Sequence, residues 1–369
     1  MNTIKSKINS LYIHIPFCKS ICPYCDFTKF CANDEMMDKY IDELIKDIKD
    51  LQDKNYSFKT IYIGGGTPSV LSLFNTQKLL FELNKLLDFT TDYEFAIEAN
   101  PESITEDKLK IYKRYGINRI SIGIQSFNKN ILKSLNRDFS INYDNLIELV
   151  KKYIQNINVD LIYGLPNQTL DNIKNDLNCF ISLNIEHIST YSLSVNPGTI
   201  YYNNKIQEVS DEKSREFYDL IYKVLSRNGF NRYEVSNYSK PGKESKHNLT
   251  YRKNEEYIAL GCGASGYFDK YRYKISSSLS KFIAGERKYE VEIIDDKSKE
   301  EYFYICNLRL KEGFSLEEYK NVFKKDFLIV KEKEVKKLIK QGLIFIKNNR
   351  VMPTYEGILL LDFILREII

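Results

Sequence analysis

The stretch whose reading decides the fold is Leu11 to Phe27, LYIHIPFCKSICPYCDF. It opens with a short alternating run, Leu11–Ile15, that predicts a strand. Three cysteines follow at Cys18, Cys22 and Cys25, spaced C-x3-C-x2-C. Three thiolates on one loop can hold three irons of a [4Fe–4S] cube and leave the fourth iron open. Ferredoxin-type sites use four cysteines and close every iron. An open iron implies a cluster that binds a ligand and does chemistry. Zinc ribbons and fingers instead bring ligands as two separated pairs, and no second pair stands here. Buried structural cysteines are common, but three so close together beside Pro16 and Pro23 do not fit that pattern.

Outward from this loop, composition sets the bounds. The chain has 369 residues, 43 per cent of them hydrophobic, enough for one large domain plus a small one. The net charge of +4 is too small to imply a nucleic-acid partner. Four further cysteines, Cys31, Cys179, Cys262 and Cys306, are scattered without a disulfide framework, which suits a reducing compartment. The first ten residues carry no apolar core of a signal peptide. No apolar run reaches the length of a membrane span; the longest candidate, Ile358–Leu365, is broken by Asp362 and reads as a helix on a small core. A cytoplasmic protein is expected.

Strand and helix patterns alternate six times. Strands are expected at Leu11–Ile15, Lys59–Ile63, Tyr93–Glu98, Arg119–Gln125, Asn158–Tyr163 and His187–Leu193. Helices are expected over Asp34–Leu51, Gln77–Leu87, from a Ser103 cap to Tyr115, in a region reaching Ile154, and over Asp171–Leu183. Such alternation implies a parallel α/β sheet. Within the strands, Ile120, Ile122 and Ile124 oppose Ser121, Gly123 and Gln125, and Phe95 and Ile97 oppose Glu94, Ala96 and Glu98. A doubly wound sheet is apolar on both faces. One polar face instead implies a barrel lumen, and six units make an open, partial TIM-type barrel. The expected domains are residues 1–235 for the barrel, 236–297 for a connecting region with HNLTY and a glycine-rich GCGASGY, and 298–369 for a winged-helix-like module. Acidic residues such as Glu332 and Glu334 interrupt the lysines of that module, so a structural or protein-binding appendage is read there rather than DNA binding.

The candidate site residues gather at strand ends. Gly65, Gly66 and Thr67 form a turn after the second strand where backbone can approach a ligand. Glu98 ends the third strand, where a carboxylate can accept both hydroxyls of a ribose. Gln125 ends the fourth, and Arg137 follows with a guanidinium suited to a carboxylate. Asp160 points into the lumen from the fifth strand. Tyr12 and Tyr24 flank the cysteine loop and are expected to cover the cluster or stack on adenine.

The cysteine spacing resembles that of the radical S-adenosylmethionine (SAM) superfamily, in which the amino acid moiety of SAM chelates the fourth iron. The runs YIHIPFC, CPYCDF, IGGGTPS, IEANPES, RISIGIQSF, NVDLIYGLP and RYEVSNYSKPG narrow this. They resemble the family of oxygen-independent coproporphyrinogen III oxidase and its relative, the haem chaperone HemW. The resemblance implies cluster ligands at Cys18, Cys22 and Cys25. It implies SAM contacts at Tyr12, Tyr24, Gly65, Gly66, Thr67, Glu98, Gln125, Arg137 and Asp160. Oxidases carry a fourth motif cysteine where this chain has Phe27, and a longer segment before the cluster, where seventeen residues precede Cys18. Both features favour the chaperone branch. His247 begins HNLTYR, similar to the HemW motif H-N-x-x-Y-W, which implies a loop histidine ligating haem, although Arg252 stands where that motif has tryptophan and Ser265 where many relatives have histidine. The expected function is haem binding and delivery to haem-requiring, respiratory proteins, with an electron donor and a cluster-dependent homodimer among the partners. The competing readings are SAM-dependent oxidative decarboxylation of a porphyrinogen, or radical chemistry on another large substrate.

Overall fold

The structure is a computed structural model describing residues 8–54, 56–137 and 140–369. Residues 1–7, part of the segment expected to lack a leader, lie outside the described residues, as do 138 and 139 in the helical region before Ile154.

Among the described residues nine strands form the main sheet: β1 (Ser10–Ile15), β2 (Ser57–Gly65), β3 (Asp88–Ala99), β4 (Arg119–Gln125), β5 (Asn156–Tyr163), β6 (His187–Ser192), β7 (Asn231–Arg232), β8 (Asn237–Ser239) and β9 (Ile258–Leu260). Their order is β7-β8-β6-β5-β4-β3-β2-β1-β9. Strands β1 to β6 run parallel in sequence order, as crossover helices require. Among the described residues the two edges do not meet, so the barrel is partial and open, as expected. β9 pairs parallel with β1, and β8 pairs antiparallel with β6. The segment 236–297 therefore adds one strand on each side of the parallel strands, and β7, from just before it, pairs outermost on β8.

Period-two alternation sorts the strand residues. Leu11, Ile13, Ile15, Phe95, Ile97, Ile120, Ile122, Val159 and Leu161 are buried in the main core with helix residues such as Ile41, Leu44, Leu80 and Leu177. The alternate set faces the lumen. Helix starts follow local chemistry: Asn33 caps Asp34–Lys49, Ser72 caps Leu73–Leu86, and Thr169 forms a capping box with Asn172 before Leu170–Ser182. The expected Ser103 cap is corrected. Ser103 belongs to the turn Pro101–Ser103 and donates to the Asn100 carbonyl at 2.8 Å, while Thr105 caps Glu106–Arg114. The helical region expected to reach Ile154 is two helices, Lys129–Ser134 and Tyr143–Lys151, each with its own Asn cap.

Beyond the barrel, β10 (Ser265–Phe268), β11 (Tyr271–Ile275) and β12 (Tyr289–Ile293) form an antiparallel sheet. The C-terminal unit contains the helices Leu316–Phe323 and Glu332–Lys340 and a hairpin. Its sheet is β13 (Phe314–Ser315), β14 (Ile344–Lys347) and β15 (Arg350–Pro353), with a separate core around Phe303, Tyr304, Phe314, Tyr319 and Leu338. Among the described residues no helix is long and apolar enough to cross a membrane.

Candidate cofactor site

The cysteine loop is closed at its base by backbone. Cys18 N donates to the Phe30 carbonyl at 3.0 Å, and Phe30 N to the Pro16 carbonyl at 2.7 Å. Cys25 N reaches Cys22 O at 3.2 Å, which folds the second half into a turn. Tyr201 N donates to Pro23 O at 2.9 Å, pinning the tip, and the Lys29 ammonium reaches Cys25 O at 2.6 Å. A loop held through its main chain leaves its thiols free to point elsewhere. All three are partly buried, unpaired by disulfide, and line one cavity of about 380 Å³. The Thr67 hydroxyl donates to Cys18 Sγ at 3.6 Å, and Arg137 Nε to Cys22 Sγ at 3.4 Å. Burial pushes the Cys18 thiol up to about 11 and raises Cys25 too. A bound cation reverses that by favouring thiolate.

The carboxyl ends of the strands supply the rest of the wall. Gly65, Gly66 and Thr67 come from the end of β2, Glu98 from β3, Gln125 from β4 and Asp160 from β5. Tyr24 and Arg137 line the same cavity. Gly66 must be glycine for space: a Cβ there would lie 2.7 Å from Phe17 O and 3.0 Å from Cys18 Sγ. Gln125 has φ 72° beside a register break between Ile122 and Gln125, so β4 turns out of the ladder there. Arg137 is held by Nη1 on the Gly123 carbonyl at 2.7 Å.

Glu98 accepts from Tyr62 Oη at 2.7 Å and from Gly65 N at 2.9 Å. Burial nevertheless pushes its carboxyl up to about 7. Asp160 accepts from Asn158 Nδ2 at 2.8 Å and is likewise raised by burial. Both also border a second cavity of about 260 Å³ deeper in the lumen.

Two expected site residues stand elsewhere. Tyr12 does not line the cysteine cavity. It borders the deeper one, bonds His14 Nδ1 at 2.9 Å and stacks on Tyr62. Its strand position, two residues before His14, sets it too low in the barrel to cover the loop. His247 is not in a loop; it lies in the helix Lys246–Arg252 and is fully buried. Nδ1 pairs with Thr60 Oγ1 at 2.8 Å and Nε2 with Tyr251 Oη at 2.7 Å, so neither nitrogen is free for iron. Arg252 is likewise engaged, with Nε 2.7 Å from the buried Glu234.

The sequence reading missed Tyr62, Asn158, Tyr191 and Glu94. The first three line the lumen cavities, while Glu94 accepts from the amides of Lys246 and His247 at 3.0 Å each. The signal was the alternation of Thr60, Tyr62 and Gly64 in β2, which places Tyr62 on the lumen face.

The family model for the radical SAM superfamily matches residues 12–180, and that for the HemN C-terminal domain matches 303–360. Heme chaperone HemW of Lactococcus lactis is 38% identical over 360 residues, covering 95% of this chain and 94% of that protein. The chain belongs to the HemW family of radical SAM proteins. HemW of Bacillus subtilis is 34% identical over 96% of the chain and 97% of its own length, and HemW of Escherichia coli 38% identical over 70% and 69%. The solved structure of coproporphyrinogen III oxidase (HemN) from Escherichia coli, a radical SAM enzyme, has TM-score 0.85 at 21% identity, covering 99% of this chain and 91% of that one. At that identity the likeness concerns the fold. Phe27 is on the cavity wall and 62% exposed.

Proposed function

We propose that this protein carries a [4Fe–4S] cluster on Cys18, Cys22 and Cys25, binds SAM beside it, and takes up haem for delivery to haem-requiring proteins. The observation that carries this reading is the match, along nearly the whole chain, to relatives named for haem chaperoning. The donor set fits the cluster: three free thiols on one loop, facing a cavity with room for a ligand on an open iron. When bound, the cluster supplies an open iron and a redox centre.

The chain's own residues then have distinct tasks. The backbone of Gly65 and Gly66, which carries no side chain, lets the amino acid end of SAM approach the loop. Arg137, anchored on Gly123, offers its remaining N–H groups to a carboxylate. Glu98 takes the ribose hydroxyls, Gln125 and Asp160 hold polar contacts on the opposite wall, and Tyr24 packs the loop against the cluster of Ile162, Leu165 and Leu193. Phe27 places an apolar surface at the mouth, where an oxidase-type chain would have a thiol.

In this reading the barrel (1–235) binds the cofactor, 236–297 adds a strand on each side of its parallel strands, and 298–369 is an appendage for protein contact. The recipients are haem proteins, respiratory ones by family likeness. An electron donor and a cluster-dependent homodimer belong to the same reading. The place of work is the cytoplasm, where free cysteines stay reduced. The competing activity is porphyrinogen decarboxylation on the same fold. Anaerobic incubation of the reconstituted protein with SAM, reductant and either haem or coproporphyrinogen III separates them. A stable haem complex without decarboxylation is expected; multiple-turnover decarboxylation sinks the chaperone reading.

A further inference from the structure

The buried histidine of the helix Lys246–Arg252 touches the cofactor cavity through one residue. Its ring stacks on Tyr62, centroids 5.1 Å apart and planes within 19°. The Tyr62 hydroxyl donates to Glu98 Oε1 at 2.7 Å. Gly64 makes room for this pair: a Cβ there would lie 2.8 Å from Tyr62 Cε1 and 3.0 Å from Glu98 Cδ.

The histidine end is as firmly placed. Thr60 donates its hydroxyl proton to Ser10 at 2.9 Å, so it accepts from Nδ1–H of His247. Nε2 then accepts from Tyr251 Oη. Glu94 holds the start of this helix through the Ser245 hydroxyl at 3.1 Å and the two following amides. The helix is therefore tied to β1, β2 and β3 at once. A ring held on both nitrogens and stacked on a tyrosine fixes where that tyrosine's hydroxyl points.

We propose that His247 is a positioning residue for Glu98, acting through Tyr62, so that the HNLTY helix sets the affinity of the nucleoside end of the cofactor cavity. The ligand class, a ribose with two free hydroxyls, rests on the cofactor reading above. The coupling has a consequence for haem. Iron can reach a His247 nitrogen only by breaking its bond to Thr60 or Tyr251 and shifting the ring from Tyr62. Ligation of His247 and binding of ribose at Glu98 therefore oppose each other, and by linkage each weakens the other equally.

The test is equilibrium dialysis of SAM against the anaerobically reconstituted protein, with haem absorption spectra recorded in parallel. Tyr62→Phe keeps the ring stack and removes the donor to Glu98; it should weaken SAM binding about tenfold. His247→Ala should weaken it several-fold, although the residue lines neither cavity, and His247→Phe, which restores a ring against Tyr62, should recover part of the loss. Iron content and the haem spectrum should match the parent in all three. If His247→Ala fails to fold, Tyr62→Phe and His247→Phe still decide the matter by the same SAM measurement. A parent that binds SAM while Tyr62→Phe and His247→Ala bind within twofold of it overturns the proposal alone. A parent that binds no SAM overturns the cofactor reading and the proposal with it. An altered haem spectrum in His247→Ala with unchanged SAM affinity returns the histidine to a ligand role.

Discussion

The cysteine loop at the mouth of the barrel and the helix Lys246–Arg252 at its floor both carry residue types suited to metal. Their surroundings differ. Around Cys18, Cys22 and Cys25 the hydrogen bonding that shapes the loop runs largely through backbone, and the thiols face open space. Around His247 it runs through the side chain itself, to Thr60 and Tyr251, with the ring stacked on Tyr62. A residue whose donors and acceptors are spent inside the protein has become structure. One whose neighbours are fixed without it remains available to a ligand.

The most severe way to test this contrast is to remove the thiols. Replacing Cys18, Cys22 or Cys25 by Ala should abolish the iron content of anaerobically reconstituted protein, whereas Cys31, Cys179, Cys262 and Cys306 should each be replaceable with iron retained. Zinc in place of iron after reconstitution would break the comparison at its first term.

A smaller loss is expected on the polar wall. Glu98→Ala and Asp160→Ala should weaken SAM binding by about tenfold or more while keeping the cluster, since neither contacts the thiols. The pH dependence has a definite sign. Burial raises the Glu98 carboxyl from 4.5 to about 7, with donation from Tyr62 lowering it, Asp160 across the lumen raising it, and Gly65 N–H lowering it. Tyr12 and Tyr191 also face it, their phenols raised and so neutral. Below about pH 7 Glu98 is protonated and a weaker acceptor, so SAM affinity should rise with pH through that range. Titration by equilibrium dialysis should find the rise in the parent and its absence in Glu98→Gln. The same group makes the ligand-free protein less stable as pH climbs from 4.5 through about 7, because the folded state holds that proton more tightly than the unfolded chain does.

Gly66→Ala sharpens the comparison from the backbone side. The new methyl meets Phe17 O and Cys18 Sγ, so the loop must shift. A loss of about 1–3 kcal/mol in stability and poor iron retention are expected, read by denaturant unfolding and iron assay. Full iron content would mean that the loop adapts, and is less pre-shaped than its hydrogen bonds indicate.

At the floor the expected effect is on stability alone. Arg252→Ala takes the donor from Oε2 of the fully buried Glu234, while the Ser236 backbone N–H at 2.8 Å and the Asn237 side-chain amide at 2.5 Å still donate to Oε1. A stability loss of about 1–3 kcal/mol with an unchanged haem spectrum is expected. Unchanged stability with weakened haem binding would instead mark Arg252 as a propionate partner.

Much of this was legible before any coordinates. The strands were found because Ile120, Ile122 and Ile124 alternate with Ser121, Gly123 and Gln125, and a polar face on a parallel sheet already implied a lumen. The wall of the cysteine cavity was found because barrel chemistry gathers at strand ends. The errors have a common cause. Ser103 was read as a cap because Glu106 follows it at the right spacing, but Asn100-Pro101 diverts it into a turn. Tyr12 was assigned to the cluster because it is near the loop in sequence, but a strand rises about 3.3 Å per residue and carries it well below the cysteines.

By itself, then, the sequence determined what short-range geometry controls: three thiols on one loop, and which face of each strand is polar. Only the tertiary structure decided whether a given polar group is free. His247 and Thr60 are 187 residues apart and 2.8 Å distant. No local pattern records such a pairing, because it is created when β2 and the helix Lys246–Arg252 pack together. The chemistry of a side chain is written in the chain, but whether that chemistry is already consumed depends on neighbours that only the packed barrel supplies.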